Sequence, residues 1–173
     1  GHLGDEVTFW RAIAGSTLSP PRVLRREFAS LEPFNGDPHL RVQRLESGDG
    51  GIHLDLHTGD VGAATREAIT LGATLRHDAG DDYQTLLSPG GFVFCIARWD
   101  GEATRSRPIR WPGDTISIID QVSIDVPATM FDDELAFWTR LTGQPTEATS
   151  RPELVRLQRD PALAIGILLQ RLG

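Results

Sequence analysis

The chain is a succession of short apolar runs that change period. Ile52 to His57 alternates apolar and polar residues, the period-two signature of a half-buried strand. Asp60 then stands where it can cap a helix running to Leu71, and Gly72 ends it. Tyr83 to Leu87 and Phe92 to Arg98 read as a hairpin around Ser88-Pro89-Gly90-Gly91. Upstream, Phe9 to Ala14 is the end of an amphipathic helix closed by Gly15. Arg22 to Leu31 and His39 to Ser47 follow as strands across the turn-rich Asn35-Gly36-Asp37-Pro38, and a loop runs from Ser47 to Gly51. Downstream, the pattern predicts a strand over 117–126, a helix over 131–142, and strands near 153–158 and 164–171.

These runs repeat. FWRAIAG at 9–15 returns as FWTRLTG at 137–143, an offset of 128 residues. Gln43-Arg44-Leu45 returns as Gln170-Arg171-Leu172 at an offset of 127, and Glu27-Phe28 and Leu31 parallel Glu153-Leu154 and Leu157. Matches in order at a nearly constant offset mark an internal duplication. The unit is strand, helix, then three strands, present over 52–98 and again over 117–172, with 9–47 fitting the same unit without its first strand. The expected fold is α+β: repeated βαβββ units forming curved mixed sheets with helices on the outer face. The expected division is a first domain at 1–98 lacking its opening strand, a linker at 99–116, and a partial second domain at 117–173. On this reading the chain is expected to be a longer two-domain protein with both ends missing, or a natural truncation.

Composition narrows the chemistry. All 17 basic residues are arginine, so Schiff-base chemistry and a P-loop lysine are excluded. The net charge of −7, without a basic run, argues against nucleic acid as a partner. Arg105, Arg107 and Arg110 form the densest basic cluster and read as a solvated part of the linker. The longest apolar stretch, Ala162 to Leu169, falls far short of the roughly 20 residues a membrane helix needs. The opening residues do not read as a charged-then-apolar leader, so export is not expected, and Cys95 has no second cysteine in the chain to pair with. The expected compartment is the cytoplasm.

Ile52-His53-Leu54-Asp55-Leu56 with Asp60, then Leu71-Gly72-Ala73-Thr74, then Leu87 to Cys95 through Ser88-Pro89-Gly90-Gly91, resemble the glyoxalase-like domains of the vicinal oxygen chelate superfamily. The resemblance implies that two units pair around a cleft. It implies metal ligands, usually His, Gln or Glu, on the first and last strands of each unit. His53 falls on one such position. Cys95 stands where the last-strand ligand is usually Glu, and Gln43 where active metalloenzymes carry Glu. In the second copy the corresponding positions read Gln121 and Gln170.

Alternation puts Ile52, Leu54 and Leu56 on a packed face and His53, Asp55 and His57 on the cleft face; Cys95 points the same way, opposite Phe92, Phe94 and Ile96. The expected ligand-binding cleft is therefore lined by Arg41, Gln43, His53, Asp55, Tyr83 and Cys95. One imidazole, one amide and one thiol make a poor cage for a metal, so the expected function is metal-independent small-molecule binding with no cofactor. The alternative carried by the resemblance is a divalent-metal lyase, isomerase or dioxygenase with His53 as a ligand. A third reading is a non-catalytic assembly module, since an unpartnered unit leaves a sheet face and strand edge that invite a homodimer. His2, His39 and His77 are expected in solvated loops, and Trp10 and Trp138 in cores.

Overall fold

The computed structural model describes residues 3–20, 27–46 and 50–173. The first half of the strand expected at 22–31 and the start of the loop at 47–51 lie outside these residues, as does His2. Chain order begins with helix α1 (Leu3–Ala14), ended by Gly15 at φ 52°. Strands β1 (Ser16–Leu18), β2 (Phe28–Pro33) and β3 (Leu40–Gln43) follow as an antiparallel sheet in the order β1-β2-β3.

Next come β4 (Leu54–Thr58), α2 (Val61–Thr70), β5 (Thr74–Asp78), β6 (Tyr83–Leu87) and β7 (Val93–Arg98). They form one sheet in the order β4-β7-β6-β5, with β4 and β7 parallel and the other pairs antiparallel. The Asp60 carboxylate accepts from the Ala63 N–H at 2.8 Å, the N-cap expected from sequence, and Gly72 turns the chain at φ 110°. The strand predicted from Ile52 begins at Leu54 instead; Ile52 is exposed rather than packed.

Residues 102–120 carry a small ribbon of β8 (Ile109–Arg110) and β9 (Ile116–Ser117). This stretch is tied down. The Asp37 carboxylate accepts from the Ala103 and Thr104 N–H groups, Asn35 accepts from the Arg107 N–H, and Arg105 meets Asp120 at 3.0 Å.

The last part is β10 (Gln121–Pro127), a single 3-10 turn at Ala128–Met130, α3 (Phe131–Thr142), β11 (Thr146–Ala148), β12 (Leu154–Leu157) and β13 (Gly166–Leu172). Its sheet order, β10-β13-β12-β11 with β10 and β13 parallel, reproduces that of the preceding repeat. Helix α3 spans the predicted 131–142 and stops at left-handed Gly143. Asp132, Asp133 and Glu134 occupy its positive first turn.

The chain divides into two compact units: 1–50 with 102–120 and 161–165, and 51–101 with 121–160 and 166–173. The second holds both complete βαβββ repeats. They share one core, in which Phe94 meets Phe137 and Trp138 edge-on, ring centroids 5.7 and 5.2 Å apart. Trp138 is fully buried, as expected; Trp10 is only half-buried, packed edge-on against Phe9. The α+β class and its repeated βαβββ units are as the sequence pattern implies. No helix among the described residues is long and apolar enough to cross a membrane.

Candidate functional site

The β4-β7-β6-β5 sheet of the second unit has two chemically different faces. Leu54, Leu56, Leu86, Phe94 and Ile96 turn into the core. The alternate positions form the other face. Asp55 is opposite Cys95, and Cys95 is opposite Thr85; one row along, His57 is opposite Ala97, and Ala97 opposite Tyr83. The face is therefore ordered by pairing register.

His53 lies just ahead of β4 and reaches back, its Nε2 3.1 Å from Asp55 Oδ1. The donor atoms of His53, Asp55 and Cys95 all lie within 4.8 Å of one another. Cys95 is buried, with its sulfur 3.4 Å from Thr85 Oγ1. The hydrogen bond to the Asp55 carboxylate, with a second to Cys95, pushes the His53 pKa up to about 10 against the opposing effect of partial burial. His53 is thus an imidazolium at neutral pH, paired with a carboxylate and beside a thiol.

The other expected cleft residues divide between the two units. Arg41 and Gln43 are in the first unit, on β3. Arg41 Nη2 sits 2.7 Å from Glu102 Oε1, so its charge is already matched, and Gln43 is exposed opposite Phe28. Gln121 pairs with Gly166 and Gln170 with Asp125. Four residues of strand, roughly 13 Å at the usual rise, separate the two positions, too far for the two amides to bond each other. Tyr83 shares the cluster's face, and its ring lies 5.7 Å from that of His77. His77 belongs to β5 opposite Thr85 rather than to a loop, and it is exposed, as expected. His39, by contrast, is half-buried, with Nε2 3.4 Å from the Ile119 carbonyl oxygen and Nδ1 3.4 Å from Ser106 Oγ.

Two residues escaped the sequence reading. Thr85 was legible, since it is two positions from Tyr83 and must share its face. Glu134 is fully buried on α3, accepting from the Gly90 N–H at 2.6 Å and from Trp138 Nε1 at 2.7 Å. Its signal was an acid placed three residues from both Phe131 and Phe137 on the apolar stripe.

A family model for the glyoxalase-like domain matches residues 2–97, more than half of the chain. The chain belongs to the glyoxalase-like domain family. Several solved structures are similar to it. One is a fosfomycin resistance protein, FosX, from Listeria monocytogenes, complexed with Mn(II) and sulfate: 14% identity over 73% of this chain and 93% of that one, TM-score 0.41. Another is a glyoxalase/dioxygenase from Nostoc punctiforme, 14% identical over 73% of this chain and 99% of that one, TM-score 0.41. A third is a glyoxylase/bleomycin resistance protein/dioxygenase domain from Frankia sp. EAN1pec, 19% identical over 73% and 96%, TM-score 0.41. No curated protein matches the sequence.

Proposed function

We propose that this glyoxalase-like protein binds a small molecule on the second unit's sheet face, around His53, Asp55, Cys95, Thr85 and Tyr83. The observation that carries this is the His53–Asp55 pair at 3.1 Å beside a buried thiol. A charged imidazole, a carboxylate and a hydroxyl converging on one face supply directional polar contacts, and the Tyr83 ring supplies apolar surface. A ligand with an oxyacid group and a flat ring fits this set: the oxyanion takes a hydrogen bond from the imidazolium, and the ring lies along Tyr83.

One observation favours a second reading, a divalent-metal site. An imidazole nitrogen, a carboxylate oxygen and a sulfur within 4.8 Å of one another match the three-ligand pattern that leaves a coordination position open. His53, Asp55 and Cys95 would hold the ion, which when bound supplies Lewis-acid polarisation of a substrate oxygen. Binding would require His53 to give up the proton that Asp55 stabilises, so metal uptake would release protons.

Thermal-shift screening with aromatic and oxyacid ligands, beside elemental analysis after soaking with Mn, Fe, Co, Ni and Zn, tests both. Metal-independent binding requires a ligand that raises the melting temperature of the wild type but not of His53→Ala, with no stoichiometric metal. A stabilisation of about 2.7 kcal/mol is expected at a hundredfold excess over Kd. Failure of every ligand to stabilise the protein, or equal stabilisation of His53→Ala, defeats that reading. About one ion per chain, lost in His53→Ala, establishes the second.

A further inference from the structure

The first compact unit contains a cavity that the residues discussed so far leave unused. It has a volume of about 230 Å³ and lies between the end of α1, β2, β3 and the stretch 106–119. Leu31, Leu40, Ile109 and Ile118 give it apolar walls. At roughly 30 Å³ per water-sized group, such a volume accepts a body on the order of eight carbon atoms.

Its polar lining is Ser16, Asn35, His39, Ser106, Arg107 and Arg110. No acidic side chain is in the lining, although the whole chain carries a net charge of −7. Arg107 and Arg110 are in the lining. Arg110 has only a 3.5 Å contact with Asp114, both largely exposed, and the Arg107 guanidinium has no ion pair among the described residues. Ser16, also in the lining, has a buried hydroxyl oxygen without a hydrogen-bond partner. A buried hydroxyl without a partner is costly, and a ligand acceptor relieves it.

We infer that this cavity binds a small amphipathic carboxylate, its hydrocarbon body between Leu31, Leu40, Ile109 and Ile118 and its carboxylate held by Arg107 and Arg110. Apolar walls alone accept any hydrocarbon; charge complementarity selects the anion, at Arg107, which has no ion pair among the described residues, and at Arg110, whose acidic contact is the exposed Asp114 outside the lining.

Calorimetric titration with octanoate tests this, with octanol and octyltrimethylammonium as controls. Octanoate is expected to saturate one site at least about tenfold more tightly than octanol. Arg107→Ala/Arg110→Ala, which alters only exposed side chains, is expected to bring octanoate down to the level of octanol and leave octanol unchanged. Ile118→Trp, checked for folding by circular dichroism, is expected to exclude both. His53→Ala is expected to bind octanoate as the wild type does, which separates this cavity from the face in the second unit. Equal affinity for octanol, preference for the ammonium, octanoate binding unchanged in the double arginine variant or in a folded Ile118→Trp, or loss in His53→Ala would each overturn the inference.

Discussion

At the scale of single residues, the decisive feature is the charge on His53. Its pKa stands near 10 rather than at the ordinary 6.5, chiefly because Asp55 accepts a hydrogen bond from it. A group whose folded pKa is raised stabilises the fold fully below its unfolded value, and that contribution is lost as pH climbs through the folded one. Stability should therefore decline between about pH 6.5 and 10 in the wild type. The His53 side chain is 34% exposed, so solvent screening keeps the effect small. Asp55→Asn removes the cause: the His53 ring should then titrate near its ordinary value when followed by nuclear magnetic resonance, and the decline should flatten. A ring that still titrates near 10 in Asp55→Asn would assign the shift to Cys95 instead.

At the scale of elements, α3 is fastened to the β6–β7 turn by Glu134. A fully buried carboxylate is tolerable only when its oxygens are bonded, and here the Gly90 N–H and Trp138 Nε1 do so. Glu134→Ala strands both donors in a dry environment and should cost about 2 to 4 kcal/mol in chemical denaturation. Gly90 is constrained for the same reason: a Cβ there would come within 2.9 Å of Glu134 Oε2. Gly90→Ala should also destabilise, and combining it with Glu134→Ala should cost less than the sum, since the shortened side chain makes room. Strict additivity would mean that the turn and the helix are not coupled through this carboxylate. The turn could be read locally from Ser88-Pro89-Gly90-Gly91; its partner 44 residues away could not.

At the scale of the molecule, the second unit is a duplicated βαβββ arrangement with a single core. Phe94 from one repeat lies against Phe137 and Trp138 from the other, so neither repeat buries its apolar face alone. Phe94→Ala should cost about 3 to 5 kcal/mol. Hydrogen exchange should show both repeats losing protection together, as parts of one cooperative unit. Loss of protection confined to 54–98 would mean that the repeats fold separately.

The same scale marks the boundary between what local pattern encodes and what it does not. Element type, the face of His53 and Asp55, the Asp60 cap, α3 and the duplication follow from the sequence itself, because period and end signals are short-range properties. The juxtaposition of Asp55 with Cys95, the pairing of Arg41 with Glu102 across 61 residues, and the core shared by the two complete repeats were decided only by tertiary structure. Alternation says which face a side chain takes, but not which distant strand will stand beside it. That choice depends on register and packing over the whole unit, and it makes His53 a paired cation rather than an ordinary imidazole.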